Sequence, residues 1–403
     1  MNTRLRVLTQ TIAILLCVLG ANSGLSAQSQ VVAFKVHSPG LEHNLLGDPA
    51  DQDVAVYLPA AYRSEPQRRF ATIYFLHGFA DTPVKEVAEI LQKSMDKLIA
   101  AHVIEPMIVV APNGLNRYFG SFYANSEVTG NWEDYVVRDV VGYIDAHYRT
   151  LPSAESRGIT GHSMGGYGAL MLAFQHPDVF SNVYGMSPCC AVLDADIGPS
   201  SPIWSHTQEL KSADEMPGVL QREFLLAVAV AMDAAFAPDP HKPPLFGDPP
   251  FLRKEHQQVP DPIALEKFQH YILLNAIPAL LPRISQLKGI YIEYGAEDEF
   301  SHIPPGARAA SMQLALLGVP HVLEVFEGAH GNHVLERVEM RMLPWFSQQL
   351  ERQSRTGLHC ASGSARSFGW EPSRPGFEET ALPVVGGATD NAAIKAPLLF
   401  RGW

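Results

Sequence analysis

Residues 157–180 read RGITGHSMGGYGALMLAFQHPDVF, a short apolar run that passes into a helical pattern through a knot of glycines around one serine. Glycine weakens helices and strands alike, so its density at such a junction has a conformational cause. A strand-to-helix turn too tight for side chains two residues either side of Ser163 accounts for Gly161 and Gly165. Gly166 then lets the new helix lie close to the neighbouring strands. A strand that opens at its carboxyl end straight onto a helix is the repeating unit of a mainly parallel sheet.

The rest of the chain repeats that unit. The runs VVAFKV (31–36), DVAVYLP (53–59), FATIYFLHG (70–78), MIVVAPNG (107–114), SNVYGMSP (181–188), KGIYIEYG (288–295) and HVLEVFEG (321–328) predict further strands. Between them lie helical patterns at 85–102, 131–148, 307–318 and 333–350. In the second, Tyr135, Val136, Val140, Tyr143 and Ile144 fall on one face. The expected fold is an α/β sheet covered by helices on both faces. Ligands of such sheets bind at the carboxyl ends of the strands, where HGFAD, GHSMGG, GAEDEF and GAHGNH all fall. The alternation breaks at about 194–282, where apolar helical stretches such as FLLAVAVAMDAAF (224–236) flank the Pro-rich APDPHKPPLFGDPPF. An insertion between two sheet strands sits above or beside the sheet, and it is read as a cap over the site.

Both ends of the chain differ from this middle. Residues 1–27 combine two arginines, an apolar run over 12–19 and a small-residue stretch ending near Ala27, the layout of a cleaved secretory signal. The apolar run is shorter than the ~20 residues of a spanning helix. The expectation is therefore a secreted or periplasmic protein without a membrane span. From 353 to 403 the composition turns to Gly, Ser, Ala and Pro without sustained periodicity, which predicts a poorly ordered tail. One catalytic domain over 31–350 remains. Within it only Cys189 and Cys190 are left besides Cys360 of the tail, so no disulfide framework is expected and the pair is read as buried thiols. With 42 acidic against 30 basic residues and no basic run, nucleic acid is not an expected partner.

Gly161-His162-Ser163-Met164-Gly165 fits G-x-S-x-G, a nucleophile elbow that holds the serine hydroxyl above a sheet at a helix N-terminus. A serine hydroxyl is a weak nucleophile and needs a base, oriented in turn by an acid. In chain order Ser, acid, His, the candidates are Asp298, flanked by Glu297 and Glu299, and His330, with His333 close behind. Asp194 and Asp196 are the alternative acids. His330 and His333 could share a metal, but no third ligand is suitably spaced and H-E-x-x-H is absent, so no metal or cofactor is expected. His162 and His302 are read as local hydrogen-bonding residues, and His77 as shaping the turn before Gly78. For the oxyanion, the amide of Met164 follows the nucleophile and that of Phe79 comes from the turn after FLHG.

On VYLP (56–59), YFLHG (74–78), GSFYANSEVTGNWEDYV (120–136), GHSMGGYGAL (161–170), GAEDEF and GAH, the chain resembles the esterase D family of α/β-hydrolases. That family includes S-formylglutathione hydrolases, feruloyl and acetylxylan esterases, siderophore esterases and mycolyltransferases. The resemblance implies an α/β-hydrolase fold with Ser163 as nucleophile, Asp298 as acid and His330 as base, and with Phe79 and Met164 as oxyanion donors. Relatives often place an aromatic residue just after the histidine, where this chain has HGNH, so His333 stays open as an alternative. The implied activity is an exported serine carboxylesterase acting on small-molecule or carbohydrate esters. Acyl transfer to a sugar hydroxyl and thioester hydrolysis are the near alternatives. A non-catalytic carbohydrate-binding protein is the reading from another class.

Overall fold

The computed structural model describes residues 28–353, apart from 82 and 256. The signal segment 1–27 and the tail beyond Gln353 lie outside the described residues, as do Cys17 and Cys360.

Strands form where β-branched and aromatic residues run together, and how deeply each is buried follows from its place in the sheet. Eight of them are labelled here: β1 (Gln30–His37), β2 (Asp51–Leu58), β3 (Thr72–Leu76), β4 (Ile108–Pro112), β5 (Arg157–His162), β6 (Asn182–Met186), β7 (Gly289–Gly295) and β8 (Val322–Phe326). Among the described residues these eight make one sheet in the order β1-β2-β4-β3-β5-β6-β7-β8. β2 runs antiparallel to both neighbours, and the pairs from β4 across to β8 are parallel. Every residue of β3, β4, β5 and β6 is buried, as expected of central strands covered on both faces, whereas the edge strands β1 and β8 alternate with exposed positions.

The helices sort onto the two faces by their apolar stripes. Helix α1 (Val84–Ala100) buries Val84, Val87, Ala88, Leu91, Met95 and Leu98, spaced by three and four, against one face together with Val334, Val338 and Phe346 from the end of the domain. Helix α2 (Met164–Gln175) is buried along almost its whole length on the opposite face. The helical pattern at 131–148 contains a π-helical stretch, Tyr135–Val140, and Tyr135, Val136, Val140 and Ile144 are all buried.

Within the 194–282 insertion, helix α3 (Phe224–Phe236) is buried from Leu226 to its end. Helix α4 (Leu273–Ile284) packs on α2 through Leu273, Ala276 and Ile277, and Arg283 Nη1 donates to the Gln175 carbonyl at 3.0 Å. The crossover that leads back to β7 therefore begins before residue 282. Helix α5 (Ile303–Leu316) follows β7 and covers it. Cys189 and Cys190 are free and buried, with their sulfurs 2.7 Å apart.

One buried ion pair joins β7 to the last helical segment. Glu293, fully buried, accepts from Tyr184 Oη at 2.6 Å and from Arg337 Nε at 3.0 Å, while Arg337 also reaches Glu324 at 2.8 Å. Removing one partner of such a pair strands the other charge in a low-dielectric interior. Arg337→Met is expected to destabilise the fold by about 3–5 kcal/mol, measured as a fall in the denaturant midpoint. A variant as stable as the wild type would show that Glu293 is protonated in the native state and needs no cation.

Candidate active site

The site is assembled by loops at the carboxyl ends of the parallel strands. Leu76 at the end of β3 pairs with Gly161 of β5, and His162 pairs with Met186 of β6, so three strand ends converge around Ser163. Ser163 has φ 58° and ψ −117°, outside the regions open to a non-glycine residue without strain. Such a conformation costs on the order of 1–3 kcal/mol and persists only where the surroundings enforce it. Here the Ser163 amide donates to the Met186 carbonyl at 2.9 Å, and the Ser163 carbonyl accepts from Tyr167 N at 2.9 Å in the first turn of α2. A Cβ on Gly165 would run into the Leu76 carbonyl, and one on Gly166 would come within 2.6 Å of the Met186 carbonyl oxygen. The glycines around the serine thus answer backbone crowding from two neighbouring strands.

The loops after β7 and β8 are laced to each other. Ala296 N donates to Phe326 O at 2.8 Å and Glu297 N to Gly328 O at 2.9 Å. This brings Asp298 to His330, whose Nδ1 lies 2.8 Å from Asp298 Oδ2, with side chains only 0% and 2% exposed. The other Asp298 oxygen accepts from Phe300 N at 3.0 Å. The backbone of His330 is held from both sides: its N–H donates to Glu299 at 2.9 Å, and its carbonyl accepts from His162 Nε2 at 2.8 Å. Its ring packs edge-on to Phe300, with centroids 4.7 Å apart, and lies 4.6 Å from the ring of His162, the residue before the serine.

Burial dominates the electrostatics. It pushes the His330 imidazole well below its ordinary value of 6.5, toward the neutral form, and it raises the Asp298 carboxyl to about 6. At neutral pH Asp298 is still ionised and accepts the Nδ1 proton, which leaves the Nε2 lone pair of His330 as the basic atom.

The other sequence candidates lie elsewhere. His333, at φ 60°, is half-exposed and pairs with Glu336 at 2.8 Å, outside the His330–Asp298 contact. Glu297 is exposed, and Glu299 anchors the His330 amide. Asp194 caps the short turn that follows it, and Asp196 is engaged by His302 at 2.6 Å. His77 is buried and donates from Nδ1 to the Gly78 carbonyl while its Nε2 accepts from Gly114 N at 2.7 Å, so it braces the turn that carries Phe79. Among the described residues no group of three or more His, Cys, Asp or Glu could hold a metal ion, and no helix is long and apolar enough to cross a membrane.

Ser163, Met164 and Phe79 line one partly open apolar pocket. Phe122 and Phe300 add to its wall, and Phe224, Leu225, Val228 and Met232 of α3 complete it. A Cβ on Gly120 would come within 2.6 Å of Met164 Sδ and crowd the Phe79 ring, so the glycine makes room for both. These wall residues were not legible as site residues, because α3 is apolar all round and its periodicity does not single out the face that meets the serine. Glu299 and Phe300 carried a weak signal only, their adjacency to Asp298.

Comparison with known proteins points the same way. The model of an esterase family described as "Putative esterase" matches residues 49–235. Esterase MT1326 of Mycobacterium tuberculosis (strain CDC 1551 / Oshkosh) is 30% identical over 133 residues, covering 32% of this chain. The chain spans only 27% of that relative's length. Among solved structures, a ferulic acid esterase superposes with a TM-score of 0.54 at 18% identity, over 80% of this chain and 99% of that one. An S-formylglutathione hydrolase from Agrobacterium tumefaciens superposes with a TM-score of 0.52 at 16% identity, over 81% and 98%. At such identities the likeness is one of fold.

Proposed function

From the match of residues 49–235 to this esterase family and from the α/β-hydrolase fold, we propose that the chain hydrolyses carboxylic esters through a serine acyl-enzyme. The observation that carries the reading is the buried His330–Asp298 pair, 2.8 Å apart, packed on the histidine that precedes a strained elbow serine.

In this mechanism Ser163 Oγ attacks the ester carbonyl carbon while its proton passes to His330 Nε2. The carbonyl electron pair moves onto oxygen, where the amides of Phe79 and Met164 receive it. Collapse of the intermediate breaks the bond to the alcohol, which leaves with the proton from His330. Water then repeats the sequence on the acyl-enzyme and restores Ser163. Asp298 holds the imidazole in the Nδ1–H tautomer and offsets its charge while it is protonated. No step calls for a metal or an organic cofactor.

The apolar wall contributed by α3 supports an ester whose acyl or alcohol part is mainly hydrocarbon, and it supports the insertion acting as a cap. The leader-like residues 1–27 support export to the periplasm or the medium.

A fluorophosphonate probe tests the reading on the mature protein. Peptide mass spectrometry is expected to find the label on Ser163, with loss of turnover on short activated esters in proportion to labelling. Adding a sugar acceptor separates hydrolysis from acyl transfer by product. Labelling at another serine, or no turnover of any ester or thioester, would overturn the assignment.

A further inference from the structure

A second histidine–carboxylate pair contributes its histidine to the wall of the Ser163 pocket. His302, 3% exposed, caps the start of α5 and lines the cavity beside Ser163, Cys190 and Ile303. Its Nδ1 lies 2.6 Å from Asp196 Oδ1, and Asp196 also accepts from His302 N at 3.1 Å and from Ser301 N at 3.0 Å. Although burial disfavours a charged Asp196, the hydrogen bonds from His302 and the backbone hold its carboxyl below the ordinary value. A carboxylate oxygen accepts, so the ring N–H shared with Asp196 is that of Nδ1, and Nε2 carries the imidazole lone pair. That Nε2 is buried and has no hydrogen-bond partner among the described residues. Buried polar atoms are nearly always paired, so an unpaired one on a residue of the cavity wall marks a place for a ligand group to complete it.

We propose that the His302–Asp196 pair is a specificity site that accepts a hydrogen bond from a hydroxyl on the part of the ester lodged in the apolar pocket. Phe300 packs near both histidines, its ring centroid 4.7 Å from that of His330 and 6.4 Å from that of His302. Apart from Ser163 at the reacting end the remaining wall is mainly apolar, so a substrate hydroxyl that missed Nε2 would be buried unpaired, and the pocket selects hydroxylated over plain chains by both terms.

This inference rests on the ester-binding reading of the pocket, and the test separates the two. Matched esters that differ by one hydroxyl, placed on the acyl chain in one series and on the alcohol chain in another, are titrated calorimetrically into the Ser163→Ala protein. The same esters are turned over by the wild type. The hydroxylated member of one series is expected to bind about 5- to 10-fold more tightly, and Ser163→Ala/His302→Leu is expected to lose that ratio. If the leucine variant does not fold, His302→Gln serves, since its shorter amide cannot both satisfy Asp196 and reach the same point. Wild-type protein that turns over neither ester while the binding preference and its loss persist would sink the hydrolase reading and leave the hydroxyl site standing. Equal binding of the matched esters in both series, or a preference that survives both His302 variants, would overturn the proposal. Loss of wild-type turnover on plain and hydroxylated esters alike in folded His302→Leu, with an unchanged ratio, would also overturn it and put His302 in the reaction itself.

Discussion

Replacing Ser163 with alanine is expected to lower kcat on an activated ester by about 10⁶-fold, the loss seen when a triad nucleophile is removed and only binding and oxyanion stabilisation remain. The fold should survive. Ser163 Oγ supports no packing that alanine lacks, and the local conformation is held by backbone hydrogen bonds to Met186 and from Tyr167, which alanine retains. The positive φ of Ser163 is strained for serine and alanine alike, so the melting temperature should move by only a few degrees. Residual turnover within 100-fold of the wild type, with contaminating esterase excluded by active-site titration, would mean that another group attacks the ester.

His330→Ala is expected to abolish turnover to a similar depth, whereas His333→Ala keeps a substantial fraction. The two histidines are three residues apart in sequence but occupy different environments. His330 is buried against Asp298, and His333 faces Glu336 at the half-exposed start of the next helix. Asp298→Asn should preserve the contact but favour the wrong imidazole tautomer, a change worth about 10⁴ in kcat in another serine hydrolase. The pH profile checks the same pair. Burial disfavours the imidazolium and moves the His330 pKa below 6.5, so the neutral base persists to lower pH. The acid limb of kcat/KM should therefore have its midpoint below 6.5 and steepen no earlier. A midpoint above 7 would mean that attraction to Asp298 outweighs burial. A dead His333→Ala beside an active His330→Ala would move the base to the next helical turn.

The pocket is lined by residues that no local pattern exposes. Phe224, Leu225, Val228 and Met232 reach the pocket from an insertion far along the chain from the elbow, and His302 is committed to Asp196 across 106 residues. Asp196 follows the strand after the elbow and is one of the two alternative acids that the sequence offers. Its carboxylate is instead occupied by His302 and two backbone amides, while Asp298 holds His330.

The sequence by itself determined the strands, the helices and their alternation, because β-branched runs, apolar stripes and turn glycines act within a few residues of themselves. It determined the tight turn at Ser163 for the same reason: Gly161, Gly165 and Gly166 record locally how closely the chain must pack there. Which of three consecutive acidic residues meets a histidine (Asp298), which histidine it meets (His330, not His333), and which face of the 224–236 helix lines the pocket were decided only by the tertiary structure. Those choices depend on which loop ends the sheet order brings side by side and on which side chains are thereby stripped of water. A carboxylate or imidazole carries no trace of its future partner in its neighbours along the chain. Pairing in a buried site is a property of desolvation and distance, and both exist only once the sheet has formed.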